Sequence, residues 1–314
     1  MDVSPECSKH TSIALCVCSL CYTLKAYHFV DTDMNALPLD AYLNRIGYDA
    51  SPEVSLDCLA QLQRHHLEHI AFENLNPFLG LPVPLDSLAL ADKLVDGGRG
   101  GYCFEHNLFF MAILQQIGFE VRGLTGRVYW NQPPGFQPPR SHMLLLVTLP
   151  DGDYLVDVGF GGLTPTAPLR FDERGAQPTN LESFRVQEHG DHFSVQVLLG
   201  SEWQLLYRFD LTEQWPVDFE MANWYVACHP ASKFVNNLIA VRALPDRRYT
   251  LLNRQFTLRY ADGRSEQQIL DDGPLLDVLS KTFAIDLAGL EDPLQQRLAK
   301  LLARYEQVIL KRNG

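Results

Sequence analysis

Residues 97–119 read "GGRGGYCFEHNLFFMAILQQIGF", a glycine-rich stretch followed at once by a strongly apolar one. The apolar part predicts a helix over 103–118 that begins at Cys103 and ends at Gly118. A thiol in the first turn of a helix lies in the partial positive charge of the N-terminus, which favours the thiolate. Glycines before it let the backbone approach a ligand closely and leave room around the sulfur. This stretch predicts a nucleophilic Cys103 rather than an inert buried cysteine.

The segments around this helix predict the fold class. Apolar side chains at helical spacing predict helices over 39–46, 55–70 and 88–96, with Ser55 as an N-cap, whereas three prolines in 72–85 predict a loop. Strand-like segments follow at 120–130, 142–149, 153–160, 183–199, 202–211, 248–264 and 265–270. Helical patterns return at 274–284 and 293–311. This order predicts an α+β fold rather than a doubly wound sheet.

Composition excludes several classes of function. The chain has 314 residues and a formal net charge of −12, which argues against non-specific nucleic-acid binding, although a local patch remains compatible with an anionic ligand. No apolar run reaches the roughly 18 residues of a membrane-spanning helix. Four of the seven cysteines lie in the first 21 residues. The other three are scattered, which indicates a reducing, cytoplasmic setting.

The first 33 residues differ from the rest of the chain. The segment "MNALPLDAYLNRIGYD" begins at Met34 and reads like the start of a protein, with a proline and then an amphipathic helix. The preceding segment has a short apolar run but lacks the basic start and small-residue cleavage site of a secretory signal. We interpret 1–33 as an extension outside the fold, translated from upstream of a start at Met34.

A thiolate nucleophile requires a base, and the base requires an orienting group. His142 begins one apolar strand, and Asp157 lies between two valines in the next. In a hairpin of these strands, the two side chains share a face only when opposed residue numbers sum to an odd value. A two- or four-residue turn, or a bulge, meets this condition and a three-residue turn does not. The sequence leaves these alternatives open.

Two further motifs concern charged side chains. Glu73 lies in the apolar segment "FENLN", and Arg99 lies in the glycine-rich loop. A buried arginine requires a carboxylate, so we expect Glu73 to pair with Arg99 and hold the loop that carries Cys103. A competing pattern, "HHLEH" at 65–69, matches an inverted zinc-protease motif. No third ligand stands out downstream, so we expect no metal site.

Several segments resemble one known family. "RGGYCFEHN" resembles the R-G-G-x-C-x-E-x-N signature of the arylamine N-acetyltransferases, and "AFENLN", "SHMLLLV" and "YLVDVGFGG" are similar to its other landmarks in the same order. The resemblance runs from Met34 to the C-terminus and is dense between residues 70 and 162. It implies a catalytic triad of Cys103, His142 and Asp157, with Arg99 braced against Glu73 and Asn76.

The resemblance also implies an architecture, an activity and a substrate pocket. It implies a helical bundle over 34–119, a β-barrel-like domain over 120–225 and an α/β lid with a C-terminal helix over 226–314, around a cysteine-protease-like core. Tyr129 and Phe160 would line the acceptor pocket. Gly161, Ser232 and Phe234 would contact coenzyme A, the last two because "HPASKF" resembles a stretch near that site.

The implied reaction is a two-step acetyl transfer. The enzyme would take an acetyl group from acetyl-CoA onto Cys103 and pass it to an arylamine, arylhydrazine or N-hydroxyarylamine, with ping-pong kinetics. A cysteine hydrolase and a macrocycle-forming amide synthase would use the same triad and remain alternatives. No nucleic acid, membrane or metal is expected as a partner.

Overall fold

The computed structural model describes residues 37–300, which belong to one compact unit, Met34–Gly314. The expected extension over 1–33 and the last part of the helix expected over 293–311 lie outside the described residues. Within the described range, residues 291–300 are helical. Among the helices of this range, none is long and apolar enough to cross a membrane.

The N-terminal part consists of helices, as the apolar spacing predicts. They are α1 Leu39–Arg45, α2 Leu56–His69, α3 Leu75–Leu79, α4 Ser87–Ala91 and α5 Cys103–Ile117. The predicted caps are confirmed: Ser55 accepts a hydrogen bond from the backbone amide of Cys58, and Gly118 ends α5 in the left-handed conformation. Helix α4 continues into a π-helical turn, Asp92–Asp96.

The prediction of a loop over 72–85 was wrong in part. The segment contains a two-residue strand, β1 Phe72–Glu73, as well as helix α3. Pro77 is compatible with this helix because it lies in the first turn, where a backbone N–H has no acceptor inside the helix. Gly80 ends the helix with a φ of 75°. A proline in such a segment therefore does not exclude a short helix when it lies in the first turn.

The middle of the chain forms an eight-stranded antiparallel, barrel-like sheet with the order β5-β4-β3-β2-β9-β8-β7-β6. Its strands are β2 Glu120–Val128, β3 Arg140–Leu149, β4 Gly152–Val156, β5 Leu169–Arg170, β6 Gln177–Pro178, β7 Ser183–Glu188, β8 Phe193–Leu199 and β9 Glu202–Phe209. Its order and direction confirm the predicted α+β class with a barrel-like middle.

The hairpin of β3 and β4 has the register that the sequence left open. Leu149 pairs with Gly152 and Leu145 pairs with Val156, so opposed numbers sum to 301, an odd value, and the turn is two residues long. Because side chains alternate across a strand, this register places position 142 and position 157 on the same face. Asp157 itself lies directly after β4, which ends at Val156, rather than within the strand as predicted.

A second sheet, with the order β1-β10-β11-β12-β13, pairs a short strand of the N-terminal helical part with four strands from the later part of the chain. Its later strands are β10 Ile239–Leu244, β11 Arg247–Leu252, β12 Gln255–Tyr260 and β13 Ser265–Ile269. Helices α6 Pro216–Cys228, α7 Lys233–Asn236 and α8 Asp272–Asp277 complete the described elements, and α8 continues into a π-helical turn, Val278–Thr282. The sequence patterns predict no element at the positions of α6 and β10. The predicted domain boundaries at 119/120 and 225/226 stay a prediction. Strand β1, in the first of these domains, pairs with β10, in the third.

A buried chain of hydrogen bonds lies beneath α5. The Tyr42 hydroxyl donates to His66 Nδ1 at 3.0 Å, His66 Nε2 lies 2.7 Å from His106 Nδ1, and His106 Nε2 lies 3.2 Å from the Ala71 carbonyl oxygen. Because a carbonyl only accepts, His106 Nε2 carries the proton, and the direction of every other bond follows. The chain ties α1, α2 and α5 to the residue that precedes β1.

Burial lowers the pKa of His106 to about 4, although the hydrogen bond to Ala71 acts in the opposite direction. An unfolded histidine takes up its proton near its ordinary pKa of about 6.5. The unfolded state therefore binds more protons between these values. Stability from this group is complete above the ordinary pKa and is lost as the pH falls towards about 4.

We predict that His106→Gln, which keeps a donor for Ala71 but cannot take up a proton, makes the free energy of unfolding less dependent on pH. The decrease in the free energy of unfolding between pH of about 7 and about 4 should be smaller in this variant by up to about 3 kcal/mol. Denaturant titrations at several pH values measure this change. The exposed His189→Gln is the matched control and should keep the wild-type slope. An unchanged slope in His106→Gln would contradict the prediction.

Candidate active site

Cys103 is the first residue of α5 and is 4% exposed. Its sulfur lies 3.7 Å from the carbonyl oxygen of Ser141, the residue before His142. The position at the N-terminus of a helix confirms the predicted placement of the thiol. The nucleophile candidate and the base candidate are therefore neighbours although they are far apart in the sequence.

His142 and Asp157 form a buried pair. The Nε2 atom of His142 lies 2.7 Å from Asp157 Oδ2, and both side chains are almost inaccessible. Because Nε2 is engaged, Nδ1 is the ring nitrogen that remains for Cys103. Burial acts to lower the pKa of His142, but the Asp157 carboxylate and the Cys103 sulfur outweigh it and raise the pKa to about 9. The ring therefore favours the imidazolium form at neutral pH.

Asn107 was missed by the sequence analysis, although it is the last residue of the quoted signature. Its Nδ2 atom donates to the Met143 carbonyl at 2.8 Å and to Asp157 Oδ1 at 3.2 Å, and its Oδ1 accepts the amide of Val158 at 3.1 Å. A polar amide on an apolar helix, one turn after Cys103, was the signal available in the sequence. Through Asn107, α5 contacts the strand of His142 and the segment of Asp157.

Gly159 permits the close contact between these elements. An added Cβ at this position would lie 2.6 Å from the Cα of Cys103 and 2.8 Å from Asn107 Nδ2. Its backbone amide donates to Asp157 Oδ1 at 2.8 Å. The absence of a side chain therefore lets the segment after β4 pack directly on the first turn of α5.

The expected contact between Arg99 and Glu73 is present. Two nitrogens of Arg99 donate to Glu73 Oε1, at 2.9 and 2.6 Å, and one of them also donates to Asn76 Oδ1 at 3.0 Å. Burial acts to raise the pKa of Glu73, but Lys93 and Arg99 outweigh it and hold that pKa below its ordinary value. Lys93 also donates to Glu105 Oε1 at 2.6 Å. Lys93 and Glu105 belong to this network although no pattern in the sequence singles them out.

The glycines of the loop have a different role from the one expected. We expected Gly100 and Gly101 to leave room around the sulfur. An added Cβ would instead lie 1.8 Å from the Ala71 carbonyl oxygen at Gly100, and 2.7 Å from the Glu105 Cβ at Gly101. These two glycines allow the loop to pack against β1 and the first turn of α5.

The two expected acceptor-pocket residues differ in position. Phe160 packs edge-to-face on His142 with ring centroids 5.2 Å apart, and Tyr207, which we did not predict, lies 4.9 Å from the same ring. Tyr129 donates to Gln137 and lies under the guanidinium of Arg208. The structure therefore brings Phe160 to the reactive centre, whereas the contacts of Tyr129 are with other residues.

The expected coenzyme A residues have structural contacts of their own. Ser232 caps α7 by accepting the amide of Phe234, and its hydroxyl donates to the Val226 carbonyl at 2.6 Å. Phe234 packs on Phe72 with ring centroids 6.1 Å apart. Gly161, with a φ of 89°, lies against the same phenylalanine ring. Gly161 and Phe234 therefore both lie against Phe72.

The histidines of "HHLEH" make contacts within the protein. The Nδ1 atom of His65 lies 3.0 Å from the Ile46 carbonyl oxygen, and that of His69 lies 2.9 Å from the carbonyl oxygen of His65. Within residues 37–300, no group of three or more His, Cys, Asp or Glu side chains is arranged to hold a metal ion.

The chain is similar to known proteins over most of its length. A family model described as N-acetyltransferase matches residues 55–291. The arylamine N-acetyltransferase of Mycobacterium bovis is 43% identical over 275 residues, which cover 86% of this chain and 97% of the relative. The arylamine N-acetyltransferase / N-hydroxyarylamine O-acetyltransferase of Salmonella typhimurium is 38% identical over 272 residues, which cover 85% of this chain and 96% of the relative.

Solved structures show the same similarity in three dimensions. The arylamine N-acetyltransferase of Mycobacterium marinum in complex with CoA is 42% identical and has a TM-score of 0.81. The match covers 84% of this chain and 99% of the solved one. With the family model and the relatives, it establishes that the chain belongs to the arylamine N-acetyltransferase family.

Proposed function

We propose that this chain transfers the acetyl group of acetyl-CoA to an arylamine, an arylhydrazine or an N-hydroxyarylamine through an acetyl-Cys103 intermediate. The observation that carries the proposal is the buried arrangement of Cys103 beside the His142–Asp157 pair. The family supports the substrate classes, since one relative is named for both N- and O-acetyl transfer and a solved neighbour contains CoA.

In the first step, the Cys103 sulfur attacks the thioester carbonyl as a thiolate. A new thioester bond forms at Cys103, and the bond to the coenzyme A sulfur breaks. His142, held as an imidazolium by Asp157, supplies the proton to the departing thiolate. The first N–H groups of α5 have no acceptor inside the helix, and we assign to them the stabilisation of the oxyanion.

In the second step, the nitrogen or hydroxyl group of the acceptor attacks the carbonyl of acetyl-Cys103. An amide or ester bond forms, and the bond to the Cys103 sulfur breaks, which releases the thiolate. His142 takes the proton of the attacking group, so the same ring acts first as acid and then as base. Asp157 orients the ring in both steps, because it contacts Nε2 while Nδ1 serves Cys103. Asp157 is in turn oriented by Asn107 and by the amide of Gly159.

The remaining residues are proposed to position the site. Arg99, Glu73 and Asn76 support the loop before Cys103 through their hydrogen bonds. Phe160 lies on His142 and would contact the aromatic ring of the acceptor. Tyr129, expected in the same pocket, instead contacts Gln137 and Arg208. Gly161, Ser232 and Phe234 would contact coenzyme A. We also propose that the protein acts in the cytoplasm, in keeping with the free thiols of Cys58, Cys103 and Cys228.

We predict that the full chain gains one acetyl group when acetyl-CoA is added, and loses it when an arylamine follows. Intact-mass spectrometry measures both steps without a chromogenic substrate. Cys103→Ala should show no gain, because the attacking sulfur is absent, whereas Cys228→Ala, which removes an exposed thiol, should behave as the wild type.

The outcomes separate the alternatives. Acetylation of Cys103→Ala would contradict the acetyl-Cys103 intermediate. Double-reciprocal plots that intersect instead of running parallel would also contradict it. Cleavage of peptides without acetyl transfer would indicate a hydrolase. Failure of the folded wild type to take up acetyl groups would indicate an amide synthase.

The pKa of His142 predicts a pH dependence for the first step. The acetylation rate should stay level at neutral pH and fall as the pH rises through about 9, because the imidazolium loses its proton there. Asp157→Asn removes the charge that raises this pKa, so the fall should begin at lower pH and the rate should drop by roughly 10²–10⁴-fold. Rapid-quench intact-mass measurements from pH of about 6 to about 10 would follow both effects.

Asp153→Asn is the matched control for this variant. It removes a carboxylate of β4 that contacts Thr148 and lies outside the site. It should follow the wild-type profile. If Asp157→Asn kept the wild-type turning point, His142 would not be the group whose titration limits the step.

A further inference from the structure

Three arginines lie side by side across three strands of the barrel-like sheet. Arg140 of β3 pairs with Arg127 of β2, and Arg127 pairs with Arg208 of β9. Directly paired residues extend from the same face of a sheet, so the three guanidinium groups are neighbours. Like charges in directly opposed positions destabilise a sheet. Such a row requires compensating negative charge.

The protein supplies only part of that charge. Arg140 binds Asp210 through both carboxylate oxygens. Arg127 donates to the carbonyl of Pro138, a neutral group, at 2.7 Å. Within residues 37–300, neither Arg127 nor Arg208 forms an ion pair. The row therefore keeps a local excess of positive charge in a chain whose net charge is −12.

Arg208 has an unmet hydrogen bond as well as an unpaired charge. Its Nε atom is buried and has no hydrogen-bond partner among the described residues. Its guanidinium lies 4.8 Å from the centre of the Tyr129 ring, which holds the group in place by a cation–π contact. A buried donor without an acceptor costs free energy, and an anion would remove that cost.

The row forms one side of a cavity of about 210 Å³. Gln137, whose Oε1 accepts from Tyr129, offers its amide nitrogen as an uncharged donor. The Thr125 hydroxyl already donates to Gln214, and the carboxylate of Asp210, which binds Arg140, also lines the cavity. The cavity is smaller than the roughly 300–1,000 Å³ typical of pockets for drug-sized ligands. Its size and lining suit a small, highly charged ligand.

We propose that this cavity binds a phosphate dianion through Arg127, Arg140 and Arg208. The planar guanidinium groups match phosphate oxygens in pairs, and the bound charge would offset the repulsion within the row. The dianion has two sources, inorganic phosphate or the 3′-phosphate of coenzyme A. Binding of the coenzyme A phosphate rests on the proposed acetyl transfer, whereas binding of inorganic phosphate does not.

The site is separate from the reactive centre. Gly126, which pairs with His142, and Tyr207, which packs on that ring, directly precede Arg127 and Arg208 in their strands. Since successive side chains alternate along β2 and β9, Arg127 and Arg208 extend from the opposite face of the sheet. The register shift between Gly126 and Arg127 pairs Arg140 with Arg127 and so brings it to that same face, although it lies only two residues before His142. Binding at the row can therefore be measured without acetyl transfer.

The test is calorimetric titration of inorganic phosphate into the full chain at constant ionic strength. We expect saturable binding by the wild type, and binding weakened by about tenfold or more in Arg127→Gln and Arg208→Gln. Arg185→Gln is the matched control, because Arg185 also stacks on an aromatic ring of this sheet, that of Trp203, but does not line the cavity. It should bind phosphate as the wild type does.

Thermal unfolding provides a second test, in which the variant that binds phosphate less well is not less stable without phosphate. Without phosphate, Arg208→Gln should unfold at a temperature equal to or above that of the wild type, because one of three like charges is removed. Addition of phosphate should raise the unfolding temperature of the wild type but not that of Arg208→Gln. Equal phosphate binding by Arg208→Gln and the wild type would overturn the proposal. Stabilisation by chloride alone at equal ionic strength would do the same, as would the absence of saturable binding.

Two coenzymes distinguish the sources. If the 3′-phosphate is the ligand, coenzyme A should displace phosphate and bind more tightly than 3′-dephospho-coenzyme A, and Arg208→Gln should remove this difference. If free phosphate is the ligand, the two coenzymes should bind equally well and displace no phosphate. Either result supports the site, and intact-mass acetylation tests the proposed function separately.

Discussion

The carboxamide of Asn107 is the contact on which the rest of the site depends. Cys103 lies on a helix, whereas His142 and Asp157 belong to a hairpin of the sheet, and the helix and hairpin could pack together with many small offsets. One side chain on α5 donates to the carbonyl of Met143 and to the carboxylate of Asp157, and accepts from Val158. Because hydrogen bonds weaken steeply with distance and angle, these three bonds together select one alignment of helix and hairpin.

A second constraint acts beneath the loop that precedes Cys103. Glu73 and Glu105 are fully buried, and Lys93 and Arg99 are the cations that lie against them. Such a network adds little net stability, because desolvation opposes the attraction, but losing one member leaves a buried charge without a partner. The network therefore penalises any other position of the loop. With the close packing of Gly100 on Ala71, it keeps the start of α5 in one place.

The sequence was sufficient for features that depend on local pattern. The ends of α5, the cap at Ser55, the α+β class and the contact of Arg99 with Glu73 follow from spacing and charge. Features that depend on register were beyond it, since a one-residue shift between strands changes every neighbour. The role of Asn107 and the row formed by Arg127, Arg140 and Arg208 belong to this second kind. Helix α3 was missed for a local reason, because Pro77 lies in the first turn, the one turn of a helix that tolerates proline.

The two-residue turn between β3 and β4 also restricts how this protein can evolve. His142 and Asp157 share a face because opposed positions sum to 301, an odd number. Inserting or deleting one residue in the turn makes that sum even and moves one partner to the other side of the sheet, whereas a change of two residues preserves the pairing of faces. The length of this hairpin can therefore vary by steps of two residues, whereas a single-residue change must be matched by a bulge that restores the pairing of faces.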